Sequence, residues 1–418
     1  MMKVKHLSVD SFRGIEKLTL EFEPTEPTVL IGANGVGKSS ILDCLAILLS
    51  WFTARLQNPQ SSGRLFREED IKTGSKETHN EITVMIDSHP VKWSRTKARS
   101  GCRKDTSSNL AELRKVVSDI HERLDENPET ALPILAYYPT NRAVLDIPLR
   151  IRKKHFFENP IAGYEEGLTG GAIAFRRFFE WFREREDLEN ERRLMESIHY
   201  RDRQLEAVRQ AISRLLDGIE NIRIQRSPLR MTISKQGEQL SVSQLSDGEK
   251  CLLALVGDLA RRLAIANPDP DTNPLNGSGV VFIDEIELHL YPKWQRGIIP
   301  ALTHTFPNCQ FTVTTHSPQV ISDVEWVQLL TMTSEGIVAE KLRSFGKDSN
   351  RILETLMDTR ERPPEIEEKF LELFRLIDRG ELDKARQLRQ QLAEKLGSDD
   401  PKFVRADGLI RRKEILNR

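Results

Sequence analysis

Cysteine is scarce in this sequence. Cys44, Cys102, Cys251 and Cys309 lie far apart, and no C-x-x-C pair occurs. That spacing offers neither a zinc-ligand set nor a disulfide framework, and it fits a reducing compartment. Long apolar runs are also missing. The longest, Ile41–Phe52, falls short of the roughly 18 residues that a membrane span requires, so it reads as a buried helix. The opening "MMKVKHLSVDSFRG" has no apolar core of the signal-peptide kind. The expectation is a soluble, cytoplasmic protein without a membrane partner. Neither sign of charge is in excess: 62 Lys and Arg stand against 63 Asp and Glu. This excludes a surface built wholly for nucleic acid but leaves room for a local basic face. No internal repeat and no long low-complexity segment interrupts the 418 residues, a length that allows roughly two or three domains.

What is present is an α/β pattern. "KHLSVDSF", "KLTLEFEP" and "PTVLIGA" read as strands. A helix follows from about Lys38 to about Gln57, then a polar loop over about 58–80. "EITVMID" and "VKWSRT" form a strand pair around His89-Pro90, and a charged helix spans about Asn109 to Glu126. "ILAYYPTNR" reads as a core strand, and the charged stretch over about 170–217 as a solvated helical lid. "NIRIQRS", "RMTISK" and "QLSVSQ" are short strands; "GVVFIDE" and "QFTVTTHSP" are apolar strands with polar ends. "VQLLTMTSEGIVAEKL" suits a hairpin turning at Ser334, Glu335 and Gly336. Helical spacing of Ile366, Phe370, Leu373 and Ile377, and again of Leu382, Ala385, Leu388, Leu392 and Leu396, predicts a helix pair broken at "DRGELD".

"GANGVGKS" fits G-x-x-x-x-G-K-[ST], after an apolar strand and at the start of a helix. Glycines let backbone N–H groups converge on phosphate oxygens, and the helix N-terminus adds positive potential. The expected cradle comprises Gly32, Asn34, Gly35, Gly37, Lys38, Ser39 and Ser40. Lys38 would reach the terminal phosphates of ATP and Ser39 would hold Mg²⁺. "VVFIDE" carries Asp284 and Glu285 to the carboxyl end of a buried strand, where open α/β sheets place ligands. Asp284 suits the Mg²⁺ site through water, and Glu285 suits the task of orienting or deprotonating the attacking water. His316, at the end of "TVTTHSP", is a candidate γ-phosphate contact or a hydrogen-bonded histidine after a strand. In "LSDGEK", Ser246 and Glu249 form a capping box ahead of an apolar run.

The order of these motifs resembles the ABC-class ATPase heads of the structural-maintenance-of-chromosomes, RecF and overcoming-lysogenization-defect group. "VDSFRGIEKLTLEF", "GANGVGKSS", "LSDGEK", "VFIDEIELHLYP" and "TTHSP" carry the resemblance over about residues 1–330. It implies an ABC-type head with a mixed P-loop sheet, an antiparallel β subdomain and a helical lid inserted at about 100–220. A C-terminal hairpin and short helical tail would occupy 331–418. It implies Glu285 as the catalytic base, His316 as the switch histidine and Arg13 near the nucleotide. Ser246 and Gly248 would belong to a signature that meets the γ-phosphate held by a second copy, giving a homodimer, or a higher oligomer, with ATP between its heads.

The sequence departs from the group where Asp247 replaces the first glycine of the usual LSGGQ or LSGGE. No glutamine-bearing loop is evident; "YYPTNR" is its candidate replacement, with Asn141 or Arg142 expected on the nucleotide or the Mg²⁺ shell. The interval from Lys38 to Leu245 is too short for a long coiled coil, and no paired-aspartate nuclease centre is evident after about 330. The layout of "NPLNGSGVVFIDEIELHLYPKWQR", "SFGKDSNRILETLM" and the tail resembles the stand-alone PtuA ATPase family of Septu-type and retron-associated anti-phage modules. That resemblance implies a separate HNH nuclease as partner. A RecF-like DNA clamp and an ATP-bound scaffold with little turnover are the alternatives. "KWSRTKARSGCRK" and "RIRKK" (Arg150, Arg152, Lys153, Lys154) offer a DNA- or RNA-binding face, a solvated loop or a dock for an acidic partner.

Overall fold

Strand β1 (Met2–Phe12) alternates buried and exposed residues over much of its length, the pattern of a sheet with one face on a core. In the computed structural model it pairs antiparallel with β2 (Ile15–Glu21) and β4 (Glu77–Ile86), and β4 pairs with β5 (His89–Ala98). The resulting sheet has the order β2-β1-β4-β5. Residues 1–142, 159–171, 173, 175–333 and 336–416 are described. The "RIRKK" cluster and the expected turn residues Ser334 and Glu335 lie outside them; Gly336 opens a strand.

β4 begins inside the expected 58–80 loop. Its first buried residues, Thr78 and Asn80, are polar, so hydrophobic alternation does not reveal them. They are linked: Thr78 Oγ1 donates to the Asp10 carbonyl at 2.8 Å, and Asn80 Nδ2 donates to Thr78 Oγ1 at 2.9 Å, while Asn80 Oδ1 is buried without a partner. The β4–β5 turn falls at Asp87 and Ser88, both at positive φ, rather than at His89-Pro90. Two consecutive residues at φ > 0 are what a two-residue hairpin of matching twist requires.

The central sheet has six strands in the order β13-β12-β3-β11-β10-β6. β3 (Thr28–Gly32), β6 (Ile134–Tyr138), β10 (Gly279–Ile283), β11 (Cys309–Thr314) and β12 (Trp326–Thr333) run parallel; β13 (Gly336–Arg343) closes one edge antiparallel. β6, β10 and β11 are buried at every residue, as strands covered on both faces are. A smaller antiparallel sheet joins β7 (Ile219–Arg226), β8 (Leu229–Lys235) and β9 (Glu238–Ser241).

Helix α1 (Lys38–Gln57) packs on β3, β6, β10 and β11 and on β4 of the first sheet. It is apolar and long enough to cross a membrane by composition, yet most of it is buried within the fold. Trp93 Nε1 donates to the Leu48 carbonyl at 3.0 Å and ties β5 to this helix. Helix α2 (Ala111–Glu126) packs against both. α3 (Phe175–Met195) and α4 (Arg203–Leu215) form the charged lid and pack on α5 (Asp247–Ala266), which is buried almost all round.

The lid is not uniformly solvated. Glu189 is 0% exposed and binds Arg193 at 2.6 Å and Arg209 at 2.9 Å. Glu186 takes Arg226 at 2.6 Å and the Ile224 N–H at 3.1 Å. Charge patterning alone cannot distinguish such buried pairs from a solvated face, because Arg209 and Arg226 come from other elements than α3.

Short helices α6 (Pro292–Gln295), α7 (Ile298–Thr305) and α8 (Pro318–Ser322) connect β10, β11 and β12. The first compact unit runs Met1–Ile352. The expected boundary at 330 therefore lies too early: β12 pairs with β3 through Leu330↔Gly32, which binds the hairpin into the central sheet. Helix α9 (Ser349–Leu356) spans the boundary, and Leu353–Arg418 forms the second unit. That unit holds α10 (Pro364–Arg379), α11 (Leu382–Leu396) and α12 (Pro401–Leu416), three helices where the apolar spacing predicts two. Phe403, Ala406 and Ile410 of α12 enter one core with Phe370, Leu373, Ile377 and Leu392. Gly380, at φ 78°, ends α10 in the left-handed conformation that a glycine cap adopts freely.

Candidate nucleotide site

The site is assembled where β3, β11, β10 and β6 end side by side. Register places Leu30 beside Thr314, Val313 beside Ile283 and Ile283 beside Tyr138. β3 delivers the chain into the turn at Gly32, whose φ is 146°. A Cβ there would lie 2.5 Å from the Leu330 carbonyl, so only glycine fits. Gly37, at φ 108°, is the N-cap of α1. Asn34 and Gly35 are exposed, Ser40 is half-buried, and Ser39 stands exposed on the first turn. Lys38 is buried, and its Nζ donates to the carbonyls of Gly32 at 2.9 Å and Ala33 at 3.0 Å. Burial lowers the Lys38 pKa, and Asp284, Glu285 and Glu287 oppose that shift.

Asp284 receives two hydroxyls on one oxygen. Thr314 Oγ1 donates to its Oδ1 at 2.6 Å, and Ser39 Oγ donates to the same atom at 3.1 Å. Its N–H donates to the Tyr138 carbonyl at 2.9 Å. A hydroxyl and a carboxylate so close form a hard-oxygen pair, which suits Mg²⁺ completed by phosphate oxygens and water. Among the described residues no group of three or more His, Cys, Asp or Glu forms a metal cage.

Glu285 follows at φ 45°, a strained conformation for a residue with a side chain. Its backbone is held by hydrogen bonds, one of them from the Leu288 N–H to its carbonyl at 2.9 Å. Its N–H donates to Thr314 Oγ1 at 2.8 Å, and its carbonyl accepts from Arg142 Nη2 at 2.7 Å. Arg142 is only 1% exposed. Its Nη1 donates to the carbonyls of Asp284 and, at 3.3 Å, Pro139. Arg142 therefore points into the protein and clamps the acidic strand end, instead of reaching the nucleotide or the Mg²⁺ shell. Asn141 is exposed beside it. His316 is half-buried after β11, and its N–H donates to Glu287 Oε1 at 2.6 Å. The other Glu287 oxygen is buried without a partner. Thr314 and Glu287 escape a motif reading; their only signal is the polar end that each shares with a known motif.

Ser246 caps α5. Its N–H and Oγ donate to Glu249 Oε2 at 3.0 and 2.8 Å, and its Oγ accepts from the Glu249 N–H at 3.4 Å. The capping box expected from the sequence is thus formed. Burial works against the Glu249 carboxylate, but Lys235 and Ser246 outweigh it and hold its pKa below the usual range. Ser246 and Asp247 are exposed. Gly248 is buried, and a Cβ on it would lie 2.5 Å from the His289 carbonyl. The turn thus leans on the loop after Glu285 of its own chain, while its hydrogen bonds go to Glu249 and not to the Lys38 cradle.

Arg13 reaches Asp43 of α1, about one turn beyond Ser39. Its guanidinium binds Asp70 at 2.8 Å and Asp43, the latter shared with Arg64 at 2.7 Å. Burial opposes its charge, yet Asp43 and Asp70 raise its pKa. Both ends of the side chain are engaged by carboxylates beside α1.

Comparison with known proteins agrees with this geometry. An AAA-domain profile matches residues 6–225, and a second AAA-domain profile, described with the AbiEii toxin of type IV toxin–antitoxin systems, matches 136–322. The "Retron Vc95 probable ATPase" of Vibrio cholerae serotype O1 biovar El Tor is 30% identical, over 91% of this chain and 85% of that protein. The chain belongs to the retron ATPase family. Another retron ATPase, "Retron Ec83 probable ATPase" of Escherichia coli, is 29% identical over 96% of this chain and 85% of that protein. Similarity extends to the "Septu protein PtuA" of Bacillus mycoides, 24% identical over 75% of this chain and 38% of that protein. Among solved structures, a Smc head domain derived from Pyrococcus furiosus superposes with a TM-score of 0.48 at 14% identity, over 82% of this chain and 97% of that one. Likeness at that level carries no inference about function.

Proposed function

We propose that this retron ATPase family member binds ATP with Mg²⁺ and hydrolyses it, as the ATPase subunit of a cytoplasmic anti-phage module that regulates a separate HNH-type nuclease. One observation carries the hydrolytic part: Ser39 and Asp284 meet at 3.1 Å beside a Glu285 fixed by Thr314 and Arg142. The Gly32–Ser39 turn would bind the phosphates. Lys38 would exchange its carbonyl contacts for phosphate oxygens. Ser39 and Asp284 would hold Mg²⁺, which when bound supplies positive charge between the terminal phosphates. Glu285 would orient and deprotonate the attacking water, with His316 at the far side of the same cleft.

Two copies would complete the site, each lending its Ser246–Gly248 turn to its mate. The exposure of Ser246 and its place at the N-terminus of α5 support this reading. The nuclease partner and the anti-phage setting rest on the retron and Septu relatives.

The test is steady-state ATP hydrolysis of the wild type and E285Q, with sedimentation in ATP. Wild type should turn over ATP and E285Q should fall by about 10²–10⁴-fold while accumulating as an ATP-bound dimer. Equal turnover in the two proteins would remove Glu285 from the mechanism.

A further inference from the structure

Three arginines converge at the far end of α1. Arg95 of β5 lies over the ring of Trp51, with its guanidinium carbon 3.8 Å from the ring centroid. Arg55, one turn further along α1, approaches the same ring at 5.8 Å. Arg114 lies exposed on α2, which packs on both α1 and β5; after burial, its charge lowers the Arg55 pKa, and Arg55 acts likewise on Arg95. No acidic residue contributes to either shift. Among the described residues none of the three makes an ion pair. Arg55 Nη1 donates to the Pro59 carbonyl at 3.1 Å, and its Nε is buried without an acceptor. Like charges gathered in part-buried surroundings cost free energy unless a counter-charge joins them.

The positive charge continues beyond this cluster. Side chains alternate along a strand, so Lys97 shares the face of Arg95 about 7 Å further on, and Arg99 follows just past the end of β5. Arg99 is held by the carbonyls of Ser75 at 3.2 Å and Lys72 at 3.3 Å, contacts that leave its charge uncompensated. Arg103 and Lys104 follow, exposed, in the next loop. Glu68 and Glu77 lie along the same loop, where their oxygens accept backbone N–H groups of Ser100, Asp105 and Thr106, each at 3.0 Å. Three clustered guanidiniums suit one phosphate, since the planar fork matches phosphate oxygens. A line of further cations at strand spacing suits a chain of them.

We propose that Arg55, Arg95 and Arg114 seat one backbone phosphate of a nucleic acid whose strand continues along β5 past Lys97 and Arg99. The ligand class is a polynucleotide, read by charge and not by sequence. The seat is separate from the nucleotide site: Lys38 and Arg55 stand at opposite ends of α1, roughly 25 Å apart at the helical rise per residue. The inference does not require ATP hydrolysis, and its failure would leave the proposed ATPase intact.

The experiment is fluorescence anisotropy with a labelled duplex DNA and, in parallel, a labelled single-stranded RNA, between about 50 and 200 mM salt. Wild type should bind at least one of them with a steep salt dependence. R114Q removes an exposed side chain and endangers the fold least. It should flatten the log–log slope by about 1, the change expected for one phosphate contact. R55Q/R95Q/R114Q should flatten it by about 2–3. ATP hydrolysis by R114Q should stay at the wild-type rate. Absence of wild-type binding to both probes overturns the proposal, as does an unchanged slope in R114Q and the triple variant. It is equally overturned if R114Q loses affinity for polyglutamate while keeping both nucleic-acid slopes, which would make the seat a dock for an acidic protein.

Discussion

The Thr314 hydroxyl lies 2.6 Å from Asp284 Oδ1 and donates to it, while its oxygen accepts the Glu285 N–H at 2.8 Å. One buried side chain on β11 therefore sets the positions of the two acidic residues that follow β10. A threonine hydroxyl can do this because it donates once and accepts with its remaining lone pairs.

Replacing that hydroxyl by a methyl leaves the shape and removes both bonds. T314V should lower stability by about 1–3 kcal/mol, the range for a buried polar group left without its partner. Urea unfolding measures this. The kcat for ATP should fall as well, since Asp284 and Glu285 lose a shared anchor. A T314S variant should recover most of both losses; if it does not, packing and not the hydroxyl is responsible.

Arg142 acts on the other side of Glu285, through main-chain carbonyls. In R142M the carbonyls of Asp284 and Pro139 lose the Arg142 donor, while that of Glu285 keeps the Leu288 N–H at 2.9 Å. Each carbonyl left buried and unpaired costs about 1–3 kcal/mol. We expect kcat to fall much more than the KM for ATP changes, because Arg142 positions Glu285 and touches no phosphate. A proportional rise in KM with kcat preserved would instead make it a nucleotide contact.

Gly248 of the Ser246 turn packs against the backbone of His289, in the loop after the acidic strand. A Cβ at 248 would stand 2.5 Å from the His289 carbonyl oxygen, and neither backbone can yield without moving its loop. G248A should therefore reduce ATP-dependent dimerisation by sedimentation, while ATP binding by the monomer stays near wild type. Loss of monomer binding together with dimerisation would show a wider collapse.

Asp258 offers a test of stability against pH. It accepts from Arg261 Nη2 at 2.7 Å, Arg262 Nε at 2.7 Å and Tyr138 Oη at 2.9 Å. Burial raises its pKa, but the two guanidiniums prevail and hold it well below the ordinary carboxylate range. A depressed folded-state pKa contributes stability in full above the unfolded value, about 3.9, and loses it as pH falls below that value. D258N should cost about 3–5 kcal/mol at pH 7, as for a broken buried pair. The gap should narrow below about pH 4. A gap that stays constant with pH would assign the effect to shape alone.

Much of the site was legible in the chain because its parts are contiguous. The glycine turn before Lys38, the acidic end of "VVFIDE" and the Ser246–Glu249 box each encode a local backbone shape, and neighbours in sequence suffice to form it. Arg142 was misjudged because "YYPTNR" says nothing about which way a side chain turns at a strand end. Thr78 and Asn80 hid the start of β4, since polar residues break the apolar alternation even when buried. The third tail helix was missed because α12 shows only three core residues among many charges.

What the sequence determined by itself is the set of local devices: a phosphate turn, an acid-tipped strand and a capped helix, each fixed by backbone geometry within a few residues. Only the tertiary structure decided which strands lie side by side, and hence that Ser39 and Thr314 share one oxygen of Asp284 and that Arg142 braces Glu285. Those relations join residues up to hundreds of positions apart. They follow from strand order and register, which depend on how whole buried faces pack together rather than on any short run of residues.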